Sequence, residues 1–201
     1  MSPNRDWEKA LLENGYLNIV GLDEAGRGAW AGPVVAACLR FEFKNKKRGL
    51  PDINDSKLLT AECRKKIFSW LTDNFDFGIG VVANELIDAI GIVKATKLAM
   101  EQAIGQLNNP PDYLLIDALR LENKIKQDNI IKGDSRIWSI AAASIIAKVA
   151  RDRIMDCYHE KYSEYGFNQH KGYGTRKHWE NIQKAGICPL HRRSYQPISR
   201  F

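Results

Sequence analysis

The sequence predicts a single α/β domain in which a mixed β-sheet is flanked by helices. Three observations lead there. Apolar, β-branched segments come first: 17–23 and 33–43 read as strands joined through a glycine-bearing turn, Gly26-Arg27-Gly28. Strand and helix patterns then alternate through the middle of the chain, the order that adds parallel strands to a sheet. After Tyr165 the composition shifts toward glycine, histidine and arginine around one helical stretch, so 165–201 reads as a small helical extension. The chain has 201 residues, room for one domain spanning 1–201. It shows no repeat, low-complexity stretch or linker.

Taken in order, residues 1–15 carry a short helical pattern that stops near Gly15. The two strands follow, and 44–56 is a polar, basic loop punctuated by Gly49-Leu50-Pro51. Thr60 is placed to cap a helix to about Leu71, with Glu62 in its first turn near the positive dipole end. Residues 75–82 alternate as a strand. Helical periodicity runs over 84–107, divided at Gly91, and Asn108-Asn109-Pro110-Pro111 stops it. A short apolar strand is expected at 113–117 and another at 129–132. Ser135 to about Tyr162 reads as one long helix, whose alanine-rich centre permits close approach to a sheet. Residues 176–185 form the last helix.

Hydrophobic residues make up 44% and charged residues 27%, which allows a real core and excludes a disordered chain. The formal charge of +6 favours a polyanionic partner, although a generic basic protein would show the same balance. Cys38, Cys63, Cys157 and Cys188 form no Cys-x-x-Cys pair, which argues against a zinc ribbon and for reduced thiols in a cytoplasmic protein. There is no apolar signal core and no run long enough to cross a bilayer. The expectation is a cytoplasmic monomer without a membrane partner.

Four carboxylates stand where chemistry could be carried. Asp23 and Glu24 adjoin at the end of the first strand. Neighbouring strand residues face opposite ways, so both reach one site only if the strand ends or kinks there; otherwise they are a solvated pair. Asp117 closes an apolar strand, where open α/β sheets place their sites and where turn-initiating aspartates also occur. Asp134 precedes the long helix, where it or Ser135 would equally serve as N-cap. Together the four supply an oxygen-only set suited to hard divalent cations, and two such ions support in-line phosphoryl displacement. Lys148 and Arg151 share a helix face with Ser144 and could meet phosphates or form a solvated stripe. His170, His178 and His191 lack zinc-site spacing.

The segments GLDEAGRGAWAGPVVAA at 21–37, DSKLLT at 55–60, KGDS at 132–135, SIAAASIIAKVARD at 139–152, HKGYGT at 170–175 and HRRSY at 191–195 stand in the order found in the ribonuclease HII family, and the chain resembles that family over nearly its whole length. The resemblance implies an RNase H-like fold and an endonuclease. That enzyme would cut the RNA strand of RNA/DNA hybrids and the 5′ side of single ribonucleotides in duplex DNA, leaving 3′-hydroxyl and 5′-phosphate ends. It carries a Mg²⁺ or Mn²⁺ site onto Asp23, Glu24, Asp117 and Asp134. It carries recognition of the ribose 2′-hydroxyl onto Gly26, Arg27 and Gly28. Glycines there allow close backbone approach and Arg27 can take the adjacent phosphate. Tyr173 corresponds to a tyrosine that packs on the following sugar, and Ser56 and Lys57 to contacts with the nucleic-acid backbone. Two positions depart from the family pattern: Ala118 stands where glycine is frequent, and Trp30 where proline is usual.

The related ribonuclease HIII family carries lysine in the Gly-x-Gly turn and an extra N-terminal domain, so Arg27 and the short lead before Asp23 favour HII. A non-catalytic hybrid-binding protein would be expected to lack one of the four acids. The C-terminal Gln196–Phe201 segment bears a distant likeness to sliding-clamp-binding peptides, with imperfect spacing.

Overall fold

One mixed sheet with an apolar layer on each face organises the chain. The computed structural model describes residues 3–42, 53 and 59–201. The strands are β1 (Ile19–Ala25), β2 (Val34–Arg40), β3 (Phe77–Val82), β4 (Tyr113–Asp117) and β5 (Lys126–Ile130). The helices are α1 (Asp6–Glu13), α2 (Ala61–Asn74), α3 (Asn84–Ile90), α4 (Ile92–Ile104), α5 (Trp138–Lys161), α6 (Phe167–His170) and α7 (Arg176–Ala185). The sheet order is β3-β2-β1-β4-β5. β1–β2 and β2–β3 pair antiparallel, whereas β1–β4 and β4–β5 pair parallel.

The period of two along each strand divides the core. Ile19, Leu39 and Leu115 face α5 and α2, where they meet Ile140, Ile145 and Leu71. Val20, Leu22, Leu114 and Ile116 face α3 and α4, where they meet Ile87, Ala99 and Met100. The small residues of α5 let it lie directly on β1: a methyl group on Gly21 would stand 2.3 Å from the Ser139 carbonyl carbon. A third apolar cluster, with Met155, Tyr165, Phe167, Ile182 and Ile198, joins the C-terminal segment to the far half of α5.

Thr60 caps α2 as expected, its side chain accepting from the Cys63 amide at 3.2 Å. Gly91 divides α3 from α4 with φ of 82°. Two elements differ from the sequence expectation. The second parallel strand is Lys126–Ile130 and not 129–132, because Lys132 turns left-handed (φ 56°). Its polar sequence belongs to a sheet edge, where apolar alternation is absent. The long helix begins at Trp138, three residues after Ser135, and neither Asp134 nor Ser135 is its N-cap. Both lie in a 3₁₀ turn, Gly133–Ser135. The orphan amide of Ser139 is taken instead by Glu8 Oε1 of α1 at 2.8 Å. The backbone of Asn4 bonds the Arg136 carbonyl and the Trp138 amide at 3.1 and 2.9 Å. α1 thus supplies the cap, which leaves the Asp134 carboxylate to the cleft.

Ser56 and Lys57, with the rest of the basic loop, lie outside the described residues. Among those described, no helix is long and apolar enough to cross a membrane.

Candidate active site and nucleic-acid cleft

Leu22 and Ile116 are the last paired residues of the parallel strands β1 and β4. Asp23 and Asp117 follow them directly, so two carboxylates stand side by side at the carboxyl ends of adjacent strands, on the face covered by α5. β1 does not end at Asp23 but pairs with β2 as far as Ala25. Having lost β4 as a neighbour, it exposes Glu24 to the same opening. Asp134 comes from the 3₁₀ turn, whose Gly133 amide donates to Asp117 Oδ1 at 2.8 Å. These four acids line one cleft of about 470 Å³.

The cleft floor is electrostatically loaded. Asp23 is only 4% exposed. Burial, then the charges of Glu24 and Asp117, hold its carboxyl well above the usual range, while bonds from Ser144 and the Glu24 amide pull the other way. Each acid leans on protein groups: Arg27 Nη1 meets Glu24 Oε1 at 3.2 Å, and the Glu24 amide meets Asp23 Oδ1 at 2.7 Å. Among the described residues, no three His, Cys, Asp or Glu side chains stand as placed in a ligating arrangement. The donor set nevertheless fits a hard divalent cation, since it is all oxygen and its mutual repulsion is relieved by positive charge.

The glycine turn forms the rim. Gly26 has φ of 94°, and a side chain there would strike the Arg151 guanidinium, 2.0 Å from its Nε. The Arg27 carbonyl is held by Arg192 Nη1 at 2.9 Å and by the Tyr195 hydroxyl at 2.8 Å. Opposite, Tyr173 bridges to Ala29 and joins the cleft wall. Its ring lies under two cations, with Arg151 at 5.2 Å and Lys148 at 5.9 Å from its centroid.

Over residues 20–198 the sequence matches the family described as Ribonuclease HII. The chain belongs to the ribonuclease HII family. It is 51% identical to the ribonuclease HII of Clostridioides difficile over 94% of this chain and 74% of that one. The corresponding protein of Acetivibrio thermocellus is also 51% identical, over 94% and 73%. The crystal structure of ribonuclease H2 from Pyrococcus horikoshii superposes with a TM-score of 0.73 at 29% identity, covering 92% of this chain and 96% of that one. The chain is therefore an enzyme, a ribonuclease H-type endonuclease on an RNase H-like fold.

Against that family pattern, Asp23, Glu24, Asp117, Asp134, Gly26, Arg27, Gly28, Lys148 and Tyr173 all line the one cleft. Arg151 departs from the expectation of a phosphate contact. It is fully buried and donates to the carbonyls of Pro33, Lys171 and Ala31 at 2.9, 2.9 and 3.1 Å. Burial lowers its pKa to about 10, which leaves it charged at neutral pH. Its work is to tie the Tyr173 segment to the turn after Gly28.

Three residues that the sequence reading named only by helix face or within a motif, with no role of their own, contribute to the site. Ser144 bonds Asp23. Arg192, also fully buried, grips the Gly32 carbonyl through Nε and Nη2 at 3.0 and 2.9 Å as well as the Arg27 carbonyl. Tyr195 completes that clamp. The HRRSY segment was the available signal, but backbone-directed arginines leave no periodicity.

The family departures also find reasons. Ala118 has φ of 51°, a left-handed position that suits glycine. Trp30 donates its amide to the Gly172 carbonyl at 2.8 Å, a bond that proline could not make. At the C-terminus, Ile198 is buried in the third cluster, so the Gln196–Phe201 segment closes the fold.

Proposed function

We propose that this enzyme hydrolyses the RNA strand of RNA/DNA hybrids and cuts on the 5′ side of single ribonucleotides in duplex DNA, leaving 3′-hydroxyl and 5′-phosphate ends. The observation that carries the reading is the meeting, in one cleft, of a self-repelling carboxylate cluster with the Gly26-Arg27-Gly28 turn and Tyr173.

Asp23, Glu24, Asp117 and Asp134 would hold Mg²⁺ or Mn²⁺, which activates water and stabilises the departing oxygen. Gly26 and Gly28 bring backbone groups against the 2′-hydroxyl, the feature that separates RNA from DNA. Arg27, which pairs with Glu24 in the cleft, would take the phosphate beside the ribonucleotide. Tyr173 places a flat ring against the next sugar and favours a deoxyribose there, so that an RNA–DNA junction is read. Lys148, paired with Asp152 at 2.6 Å, adds positive charge to the cleft wall. Ser56 and Lys57 belong to the proposed backbone contacts. A clamp-binding role for the C-terminal segment, in which Ile198 is buried and Phe201 exposed, is tested by pull-down with a clamp protein, and a pull-down that captures nothing would end that idea.

The test is Asp117→Asn, assayed for both cleavage and duplex binding. Turnover should vanish while gel-shift affinity for a ribonucleotide-containing duplex survives. A variant that cuts at near the parent rate removes Asp117 from the chemistry.

A further inference from the structure

Three histidines of the C-terminal extension lie close together and belong to no step described so far. His170 and His178 stack with ring centroids 4.3 Å apart, and His178 Nε2 stands 3.1 Å from His191 Nε2. All three are buried.

The shorter contacts of each ring assign its proton. His191 Nδ1 faces both the Cys188 amide, a donor at 2.9 Å, and the Cys188 carbonyl, an acceptor at 3.3 Å; the shorter contact leaves Nδ1 bare and puts the hydrogen on Nε2. The Tyr173 carbonyl, which can only accept, lies 3.0 Å from His178 Nδ1, so that nitrogen is protonated and Nε2 is bare. The two conclusions are independent and complementary: His191 Nε2–H donates to His178 Nε2, and His178 Nδ1–H donates to Tyr173. By the same rule His170 donates from Nε2 to the Tyr165 carbonyl at 2.8 Å and accepts the Gly172 amide on Nδ1 at 3.2 Å. Burial lowers His178 to about 3 and His191 to about 4, which keeps both neutral.

The Gly172 amide and the Tyr173 carbonyl are thus each held by an imidazole. The turn they hold needs holding, because Lys171 just before it is left-handed with φ of 52°. We infer that His191 and His178 form a neutral, directional hydrogen-bond relay to the Tyr173 carbonyl, that His170, stacked on His178, holds the Gly172 amide beside it, and that the three are positioning residues for recognition of the sugar beyond the ribonucleotide. This rests on the reading of Tyr173 given above.

The relay sets substrate preference and not the rate of the chemistry. Its readout is the ratio of cleavage at a lone ribonucleotide in DNA to cleavage of a long RNA/DNA hybrid. His178→Phe keeps a buried ring but loses the donor to Tyr173, and should lower that ratio about tenfold. His178→Asn keeps a donor near the Nδ1 position and should restore most of it. Tyr173→Ala should lower the ratio alone, and adding His178→Phe to it should cause no further loss. Unequal rates with unchanged ratios in both His178 variants would reduce the relay to ordinary packing and overturn the inference. If Tyr173→Ala itself leaves the ratio unchanged, the reading of Tyr173 fails first. A measurement on the unmodified protein stands apart from folding of the variants: ¹H–¹⁵N spectra of the imidazoles should show His178 as the Nδ1–H tautomer and His170 and His191 as Nε2–H. His178 found as Nε2–H would contradict the relay directly.

Discussion

Two clusters of titratable groups, the acids at the strand ends beside the first half of α5 and the histidines of the C-terminal extension beyond its far half, are acted on by burial in opposite directions. Among the acids, Asp23 is pushed toward protonation by desolvation and by Glu24 and Asp117. Among the histidines, His178 and His191 are pushed toward the neutral form by desolvation, and the hydrogen-bond partners of their ring nitrogens are all met within the protein. The acid cluster stays strained and opens on a cleft, so it suits a cation. The histidine cluster is satisfied and closed, so it serves the backbone. A group of ionisable residues is a reactive site where like charges crowd together beside an open cleft, and a scaffold where its hydrogen bonds close on themselves.

The largest expected effect separates the two roles at once. Asp23→Asn removes a buried charge from a like-charged cluster, so cleavage should fall by more than about 10³-fold while the thermal midpoint rises. Single-turnover kinetics and a melting curve on the same sample check both, and a fall in both would mean that Asp23 is structural. Arg192→Leu should destabilise by on the order of 3 kcal/mol in urea unfolding, because it takes both of its donors from the Gly32 carbonyl and leaves the Arg27 carbonyl with Tyr195 alone. A loss within the range of a surface substitution would remove Arg192 from the clamp.

The pH dependences should oppose each other. Asp23 has a folded pKa above its unfolded value, so its share of stability grows as pH falls through the folded value toward the unfolded one. The histidines have folded values below 6.5, so the unfolded state binds their protons first and stability is lost as pH drops below about 6.5 toward 4 and 3. At pH 5 each imidazole should account for about 2 kcal/mol of that loss. Unfolding curves of the parent and of His178→Asn at pH 7 and 5 measure it, and parallel pH profiles would contradict the assignment. The smallest effect is Ala118→Gly, which should stabilise by about 0.5 kcal/mol as relief of the left-handed alanine outweighs glycine's added entropy.

Strands with buried apolar runs, such as Tyr113–Asp117, and capped helices, such as that after Thr60, were legible because periodicity and capping are local. The edge strand Lys126–Ile130 was not, since its polar residues carry no alternation. The start of α5 was misplaced because its cap is Glu8, 131 residues away in sequence. The acids of the cleft could be named from motif and position. Arg151 could not be assigned correctly, because helical spacing gives the face of a side chain and not the carbonyls that a distant loop brings to it.

The measurement that tests the account most directly is cleavage of three duplexes: all DNA, DNA with one embedded ribonucleotide, and RNA paired with DNA. Each is run with Mg²⁺, with Mn²⁺ and with chelator. Metal-dependent cutting just 5′ of the lone ribonucleotide, cutting of the hybrid, and untouched DNA are expected. Cutting of the hybrid alone, or cutting that survives the chelator, would contradict the proposed function.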